Sequence, residues 1–260
     1  MTIEIIAEIS GCHGGSFENA KKLIVEAHAA GATGVKFQCF EPEKLAIKRA
    51  GHSRLRELYK TTDEGGPTHQ LLKLYKQTYT PRDWFPKLIR FAREAGLTWH
   101  SSVFDIDDVN FLEKLNCPRY KLSSFEAYDS MLIGAVVQTR KPLILSVNQG
   151  DNVFPPAYYP MTILHATDYE RPARKANLAR LRQWAWADRK FPGQQWRWGL
   201  SDHTIDHHAA DIAAVYGASM IEWHIKLPDV ETPDDAFSWT PRAFELKARR
   251  VRDLEEVLCG

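Results

Sequence analysis

Two histidines stand at the ends of consecutive apolar runs, where their ring nitrogens could bind a metal ion. His203 ends the run WGLSDH, His224 ends the run MIEWH, and a helix-like segment separates them. If both runs are parallel β-strands of a barrel, their carboxyl ends lie on one rim and the two imidazoles can share a divalent metal. The simpler alternative is a pair of buried histidines that bind no metal.

Further polar side chains occupy the ends of other apolar runs. These are Glu8, Lys36, Gln38, Ser102, Lys121, Ser124, Ser146, His165, Thr167, Ser201 and Glu222. A charged group inside a barrel is costly unless it is paired or binds an oppositely charged ligand. Two inward lysines among several hydroxyls therefore predict a pocket for phosphate or carboxylate, although each lysine alone could be a salt-bridge partner.

Two loop residues leave both a functional and a structural interpretation open. Glu126 follows the fourth strand and is a candidate general base, but a single glutamate in a loop usually faces solvent. His13 lies in GCHGGS, a turn whose glycines would let backbone N–H groups approach a ligand closely. A turn that only connects a strand to a helix would explain the sequence GCHGGS equally well.

The elements that must position these residues alternate along the chain. Strand-like segments cover residues 3–9, 34–40, 97–103, 119–124, 142–147, 161–167, 196–203 and 219–227. Helix-like segments cover residues 17–30, 81–95, 105–115, 130–139, 173–190, 206–216 and 241–258. Eight strands in this order predict an α/β fold, a TIM (β/α)8 barrel, with residues 1–260 as a single domain.

Two segments depart from the regular alternation. Residues 41–80 form a long insertion between the second strand and its helix, predicted as a helix, a glycine-rich turn at 65–67 and a second helix from His69. Residues 148–160 contain three prolines and no amphipathic period, which predicts a degenerate or missing fifth helix. Phe154, Tyr158 and Tyr159 would cover that gap or contact a second subunit, which favours a homodimer.

Composition limits the partners and the compartment. A net charge of +1 without a basic block argues against nucleic acid as the main partner. No apolar run approaches the ~20 residues needed to cross a membrane, so we expect a soluble protein. The four cysteines form no CxxC pair, which is typical of a reducing cytoplasm.

Nine motifs resemble, in order, those of the N-acetylneuraminate (sialic acid) synthase family, and they cover nearly the whole chain. They are AEISGCHGGS, GVKFQCFEPEKL, SSVFD, YKLSSFE, ILS, ILHAT, GLSDHT, IEWH and TPDDAFSWTP. The resemblance implies a barrel enzyme that condenses phosphoenolpyruvate with an amino sugar or related aldehyde. It also implies a divalent metal, most often Mn2+, with Mg2+ or Co2+ as alternatives.

The resemblance also assigns expected roles to single residues. His203 and His224 would be the metal ligands, Glu126 would handle a proton or water, and Glu8 would contact the sugar. Phosphoenolpyruvate would be held by Lys36, Ser102, Lys121, Ser124, Ser146 and Ser201. Substrate contacts are further expected from Gln38, Asp168, Tyr169 and Asp234. Among all of these, Glu126, Lys121, Lys36 and Glu8 are the expected catalytic residues.

The chain departs from the family pattern at several places. Cys12 replaces the usual asparagine, TPDD replaces GPDH, and residues 148–160 replace the usual loop after strand five. The antifreeze-like C-terminal domain, which in the family caps the partner's active site, is expected to be absent. We therefore expect N-acetylmannosamine to be a poor acceptor and a smaller or differently decorated aldehyde to be preferred, unless a separate capping protein exists.

Two other functions remain open at this point. A pyruvate aldolase could use Lys121 or Lys36 as a Schiff-base nucleophile, although the paired histidines disfavour it. A sugar-binding barrel without catalytic activity is the second alternative. The retained lysines and histidines disfavour that one, because they are costly groups without a ligand.

Overall fold

The structure, a computed structural model, describes residues 2–51, 66–148, 159–191, 193 and 195–259. Strands within these residues are β1 Glu4–Glu8, β2 Gly34–Cys39, β3 Thr98–Val103, β4 Tyr120–Leu122, β5 Leu143–Val147, β6 Met161–Ala166, β7 Trp196–Asp202, β8 Met220–Ile225 and β9 Ser238–Trp239. From β1 to β8 each strand pairs in parallel with the next, and β1 also pairs with β8. The sheet is therefore closed, and the predicted α/β TIM barrel is confirmed.

Helices connect the strands on the outside of the barrel. The described helices are α1 Phe17–Ala29, α2 Pro42–Ala50, α3 Gly66–Thr78, α4 Phe85–Glu94, α5 Ile106–Glu113, α6 Ser130–Gln138, α7 Ala179–Lys190, α8 His208–Tyr216 and α9 Pro241–Cys259. No helix in the described part of the chain has the length and hydropathy needed to span a bilayer.

Several helices begin at a different residue from the prediction, for local reasons. The segments predicted as helices 81–95 and 173–190 open with 3-10 turns, Arg82–Trp84 and Ala173–Lys175, because Pro81 and Pro172 are extended. Helix α8 begins two residues later than predicted, since Asp206 accepts a hydrogen bond from the His208 N–H at 3.1 Å. In contrast, α3 begins at Gly66, inside the predicted turn.

Alternation along the strands separates an apolar layer from a polar layer inside the barrel. Ile6, Ile144, Leu164 and Met220 form a buried apolar cluster. Two residues further along three of these strands stand Glu8, Ser146 and Glu222. Side chains two apart on a strand share a face. The polar layer therefore lies directly above the apolar layer, towards the carboxyl ends of the strands.

The described part of the segment between β2 and β3 folds over the barrel rim. Helices α2 and α3 pack against each other around a second apolar core made of Phe40, Leu45, Ala46, Leu71, Tyr75 and Phe104. This packing brings the C-terminal end of α2, which carries Arg49, close to Glu126 after β4. Residues 52–65, including part of the predicted turn, lie outside the described residues.

The predicted gap in the ring of helices falls mainly on residues 149–158, which lie outside the described residues. Phe154 and Tyr158 belong to that range, so the predicted missing helix stays a prediction. Tyr159 is half-buried and donates a hydrogen bond to the Lys141 carbonyl at 2.5 Å. This tyrosine therefore packs within its own chain, and the predicted homodimer gains no support from it.

Candidate active site

A cavity of about 510 Å³ opens at the carboxyl ends of the barrel strands. The predicted site residues that line it are Lys36, Gln38, Ser102, Lys121, Ser124, Ser146, Tyr169, Ser201, His203, His224 and Asp234. The barrel thus brings side chains from seven of its strands and their following loops into one site.

Three predicted site residues do not line the cavity. Glu8 is fully buried, and its carboxylate accepts hydrogen bonds from Gln38 and from the Ser10 N–H while pairing with Lys36. Glu126 is buried against Arg49. Asp168 is exposed on the loop after β6. Glu8 therefore contacts Lys36 and Gln38 rather than the cavity, and the expected sugar contacts of Glu8 and Asp168 stay predictions.

A buried charge cluster forms the floor of the cavity. The ammonium of Lys36 lies 2.7 Å from Glu8 Oε2 and 2.7 Å from Glu222 Oε1. Lys121 donates to the same Glu222 oxygen, and so does the Ser201 hydroxyl, at 3.0 Å. Sequence analysis noted Glu222 as a strand-end residue but assigned it no role. The signal was the alternation in IEWH, which places it on the same face of β8 as His224.

The three charged groups differ in how firmly each holds its charge. Burial lowers the pKa of Lys121 to about 7, because the attraction of Glu222 is opposed by the neighbouring Lys36. Burial also opposes the charge of Lys36, but Glu222 and Glu8 outweigh it and raise the pKa of Lys36. Burial alone would raise the pKa of Glu222, yet the two lysines hold it well below its ordinary value. A bound anion would therefore change the charge state of Lys121 more than that of Lys36 or Glu222.

Unused hydrogen-bonding groups remain at this floor. The buried Ser146 hydroxyl lines the cavity and has no hydrogen-bond partner among the described residues, and neither has Glu222 Oε2. Buried polar groups normally find a partner in protein, water or ligand. Ser146 therefore offers a donor to an anion that binds above the lysines.

The two histidines lie side by side at the rim, with ring centroids 5.4 Å apart. His203 Nδ1 lies 2.9 Å from the Thr167 carbonyl, and its backbone N–H donates to the Thr167 hydroxyl at 2.7 Å. His224 Nδ1 lies 3.2 Å from Asp234 Oδ2. An acceptor at Nδ1 fixes the tautomer whose Nε2 can bind a metal, which is the usual arrangement around metal-bound histidines.

The ionisation of His203 also suits a metal ligand. Burial, helped by the neighbouring His224, lowers the pKa of His203 to about 4. The imidazole is then neutral at pH 7, as metal binding requires. The residues present therefore fit the divalent metal expected at His203 and His224.

Cys12 lies on the other side of His224. Its sulfur is fully buried, 3.8 Å from His224 Nδ1 and 3.6 Å from the Ser238 hydroxyl. The ligand atoms of Cys12, His224 and Asp234 all lie within 4.8 Å of one another. Sequence analysis noted Cys12 only as a departure from the family pattern, since no spacing rule connects it to His224.

His13 holds the loop after β1 in place. Its Nδ1 accepts a hydrogen bond from the Gly15 N–H at 3.1 Å, and its Nε2 donates to the Thr80 hydroxyl at 3.1 Å. Both ring nitrogens are thereby used within the protein. The imidazole therefore holds this turn, and the interpretation of its glycine N–H groups as ligand contacts stays a prediction.

Arg49 is a cavity residue that sequence analysis did not identify. Its guanidinium contacts both carboxylate oxygens of Glu126, at 3.0 and 2.9 Å, and donates to Ser123 at 3.2 Å and to Tyr75 at 3.3 Å. The Phe125 ring lies 4.7 Å from the guanidinium carbon. Arg49 lines the cavity whereas Glu126 lies outside the lining, so the cation is the member of this pair that faces a ligand.

Aromatic rings form a wall beside the histidines. The Tyr169 ring lies 4.6 Å from that of His203 and 4.9 Å from that of Phe237, measured between centroids. Phe237 in turn lies 4.9 Å from His224. Tyr169 is a predicted site residue. Phe237 is not, because an apolar side chain gave no indication of a polar site in the sequence.

Comparison with known proteins agrees with this architecture. Residues 23–260 match the family described as the NeuB family. A pseudaminic acid synthase from Helicobacter pylori is 30% identical over 269 residues, which span 96% of this chain and 73% of that protein. An N,N'-diacetyllegionaminic acid synthase from Legionella pneumophila is 27% identical over 99% of this chain and 74% of its own length.

A solved structure extends the comparison to the fold. The N-acetylneuraminic acid (sialic acid) synthetase from Leptospira borgpetersenii, crystallised with citrate, matches with a TM-score of 0.83. The match covers 100% of this chain and 86% of that one at 21% sequence identity. At this identity the likeness supports the barrel fold alone.

Proposed function

The chain belongs to the NeuB family, and we propose that it condenses phosphoenolpyruvate with a sugar aldehyde to give a 3-deoxy-2-keto sugar acid and phosphate. The relatives named above are synthases of pseudaminic and legionaminic acid, and this protein is an enzyme of the same synthase class. The observation that carries the proposal is the pair of lysines on Glu222, inside a cavity that also holds two histidines.

The proposed reaction forms one carbon–carbon bond and breaks one carbon–oxygen bond. C3 of phosphoenolpyruvate attacks the aldehyde carbon, and the aldehyde oxygen takes up a proton to become a hydroxyl. Water adds at C2 and loses both protons, one in exchange for the proton taken up by the aldehyde oxygen and one to the phosphate, which leaves with the oxygen that joined it to C2. The product retains the carboxylate and has a keto group at C2.

Lys36 and Lys121 serve this reaction by offsetting the negative charge of the phosphate and carboxylate. Fixed charges in a desolvated site need no reorganisation as the reaction proceeds, which makes them effective. Ser102, Ser124, Ser146 and Ser201 line the same cavity and supply hydroxyl donors. Glu8 holds Lys36 and Gln38 in position from behind.

His203 and His224 would hold the divalent metal, for which we propose Mn2+, with Mg2+ or Co2+ as alternatives. Bound there, such an ion supplies Lewis-acid polarisation of a carbonyl oxygen. Tyr169 and Asp234 stand next to the histidines on the cavity wall, and we assign the acceptor aldehyde to this side. Glu126 would orient Arg49 towards the bound substrates.

The lowered pKa of Lys121 is also compatible with a second function, that of a pyruvate aldolase. An amine with a pKa of about 7 is partly neutral at physiological pH, and a neutral amine can form a Schiff base with pyruvate. Lys121 therefore suits the aldolase alternative as well. Incubation with pyruvate and borohydride separates the two functions, because only the aldolase becomes covalently labelled at Lys121.

The test of the synthase is a phosphate-release assay with phosphoenolpyruvate, Mn2+ and a panel of aldoses that includes N-acetylmannosamine. We expect release that depends on an aldose, with the oxygen bridging C2 and phosphorus recovered in the phosphate. Lys121→Ala is the inactive control. Absence of phosphate release with every aldose, or release without a condensed product, would contradict the proposal.

Other expectations about this protein stay predictions. They concern the acceptor preference, the homodimer, a separate capping protein, the cytoplasmic location and the organisation of residues 1–260 as one domain.

A further inference from the structure

We propose that Lys247, with Asp202 and Trp223, positions His203 and His224 for the metal from the outer side of the barrel sheet. The inference rests on the proposed function only for a metal at the two histidines. Lys247, Asp202 and Trp223 do not line the cavity, so they would act on a bound ion solely through the backbone that carries its ligands. They are therefore positioning residues and take no part in substrate binding.

The turn after β7 carries His203 and is held by the ammonium of Lys247. Lys247 Nζ lies 3.3 Å from Asp202 Oδ2 and donates to the Asp206 carbonyl at 3.1 Å. The other carboxylate oxygen, Asp202 Oδ1, accepts the N–H of Thr204 at 3.0 Å and its hydroxyl at 2.7 Å. These contacts lie on both sides of His203 along the chain, so α9 closes the turn that presents this imidazole to the cavity.

A hydrogen bond between neighbouring strands joins the two segments that carry the histidines. Asp202 stands opposite Trp223 in the parallel register of β7 and β8, and the indole N–H of Trp223 donates to Asp202 Oδ2 at 3.0 Å. Both side chains contact α9 and so face outward. The next residues along the chain, His203 and His224, face inward by alternation, with ring centroids 5.4 Å apart. The outer hydrogen bond therefore fixes the level at which the two rings meet.

Lys247 is itself fixed by its surroundings. Its ammonium lies 3.9 Å from the centroid of the Trp239 ring and 5.1 Å from that of Trp223, and both rings attract a cation. Trp239 belongs to β9 and stands opposite Ile225, at the end of β8. The side chain of Lys247 is only 5% exposed and that of Asp202 is fully buried. Because a buried charge without its partner is costly, the two groups stay paired and hold the turn after β7 against α9.

The competing interpretation is that these contacts only anchor α9 to the barrel. Their loss would then lower the stability of the fold without changing the arrangement of the two histidines. A positioning role is favoured because Lys247 donates to the turn itself, at the Asp206 carbonyl, and not only to a strand. Groups behind metal ligands orient those ligands and typically contribute about 10- to 100-fold to metal affinity.

The test begins with Lys247→Met, which removes the ammonium and keeps a side chain of similar length. We expect Mn2+ affinity, measured by the paramagnetic resonance of free Mn2+, to fall about 10- to 100-fold. Binding of phosphoenolpyruvate without metal should stay unchanged, because the anion site around Lys121 lies on the inner face of the barrel. Arg249→Met, which removes an exposed ion pair with Glu245 on the same helix, is the control and should leave both affinities unchanged.

A second variant separates positioning from stability. Lys247→Met leaves the Asp202 carboxylate buried without its cation, which destabilises the protein. Adding Asp202→Asn removes both charges and should restore much of the stability to urea. Metal affinity should nevertheless stay low, because the amide nitrogen then opposes the Trp223 N–H and the turn has lost its ammonium. Recovery of metal affinity together with stability would assign Lys247 a purely structural role and overturn the proposal.

Trp223→Phe is the mildest probe, and it decides if the Lys247 variants do not fold. It removes the indole N–H that Asp202 accepts and keeps an aromatic ring beside Lys247. We expect the visible absorption spectrum of the Co2+-loaded protein to change, since that spectrum depends on the geometry of the ligands. Trp198→Phe makes the same change at another buried tryptophan of β7 and should leave the spectrum unaltered. An unaltered spectrum with full Co2+ affinity in Trp223→Phe would contradict the proposal.

The outcomes distinguish this inference from the proposed function. All metal titrations omit phosphoenolpyruvate and are repeated with His208→Ala, because His207, His208 and Asp211 also lie close enough to hold an ion. Full metal affinity in a folded Lys247→Met protein that still releases phosphate would overturn the inference and leave the synthase function. Weakened metal affinity in Lys247→Met, for a protein that never releases phosphate, would refute the synthase function and support the positioning role.

Discussion

Arg49 and Glu126 form a two-pronged ion pair at the cavity wall, with Arg49 Nη2 3.0 Å from Oε1 and 2.9 Å from Oε2 of Glu126. Arg49 lies in the last turn of α2, in the segment between β2 and β3, whereas Glu126 follows β4. The Glu126 side chain is only 2% exposed and that of Arg49 only 12%. The pair therefore locks α2 onto the barrel rim and turns a guanidinium towards the cavity.

Breaking this pair should destabilise the protein. In Arg49→Ala the Glu126 carboxylate stays buried without its cation, which typically costs ~3–5 kcal/mol. Urea unfolding measures the loss, and Arg242→Ala, which removes the exposed ion pair with Glu245, is the matched control. We expect little change in the control, and an equally small effect in Arg49→Ala would contradict the prediction.

The same pair separates two roles for Glu126. If Glu126 mainly orients Arg49, Glu126→Gln should raise KM for the substrates more than it lowers kcat. A general base would behave in the opposite way, with a large loss of kcat at unchanged binding. Steady-state kinetics with phosphoenolpyruvate and an accepted aldose measure both constants. We expect the first pattern, because Arg49 occupies both carboxylate oxygens.

Lys121→Ala should weaken phosphoenolpyruvate binding by ~2–4 kcal/mol, the usual effect of losing one partner of a desolvated charge pair. The remaining cation, Lys36, is already paired with Glu8 and Glu222. Calorimetry measures the affinity, and Lys44→Ala, which changes an exposed lysine on α2, is the control. Unchanged affinity in Lys121→Ala would show that the anion does not bind above the charge cluster.

The binding of phosphoenolpyruvate should depend on pH through Lys121. Burial lowers the pKa of this lysine to about 7, so above pH 7 the free protein progressively loses the charge. A bound anion raises that pKa again, and binding must then take up a proton. Affinity should therefore fall by up to about tenfold per pH unit above 7.

Calorimetry at pH 8 in buffers with different ionisation enthalpies measures this proton uptake directly. Lys121→Arg is the matched variant, because its guanidinium stays charged at every relevant pH. Proton uptake should disappear in that variant. Uptake of the same size in Lys121→Arg would assign the titration to another group.

The barrel and the residues at its strand ends could be predicted because both follow from short-range rules. Alternation along a strand fixes which side chains point inward, and parallel pairing brings all carboxyl ends to one rim. Lys36, Lys121, His203 and His224 were found in this way. Glu222 obeys the same rule as His224 and was placed on the same face of β8, but the rule alone assigned it no role.

Other parts of the site depend on long-range packing that leaves no local pattern. Arg49 and Glu126 are 77 positions apart, and they meet because α2 and α3 pack over the rim. Cys12 and His224 are 212 positions apart and meet only because β1 closes the barrel against β8.

Metal binding should depend on both histidines and on the group that orients the first of them. His203→Ala and His224→Ala should each lose tight metal binding, and thermal unfolding should remain cooperative because neither ring belongs to the apolar core. Thr167→Val removes the hydroxyl that accepts the His203 N–H at 2.7 Å while keeping the carbonyl at Nδ1. We expect this change to weaken metal affinity by about 10- to 100-fold, as for other outer partners of metal ligands. Metal content after dialysis and competition with a chelating dye measure the effect, with the exposed His208→Ala as the control. Full metal affinity in His203→Ala would remove His203 from the proposed metal ligands.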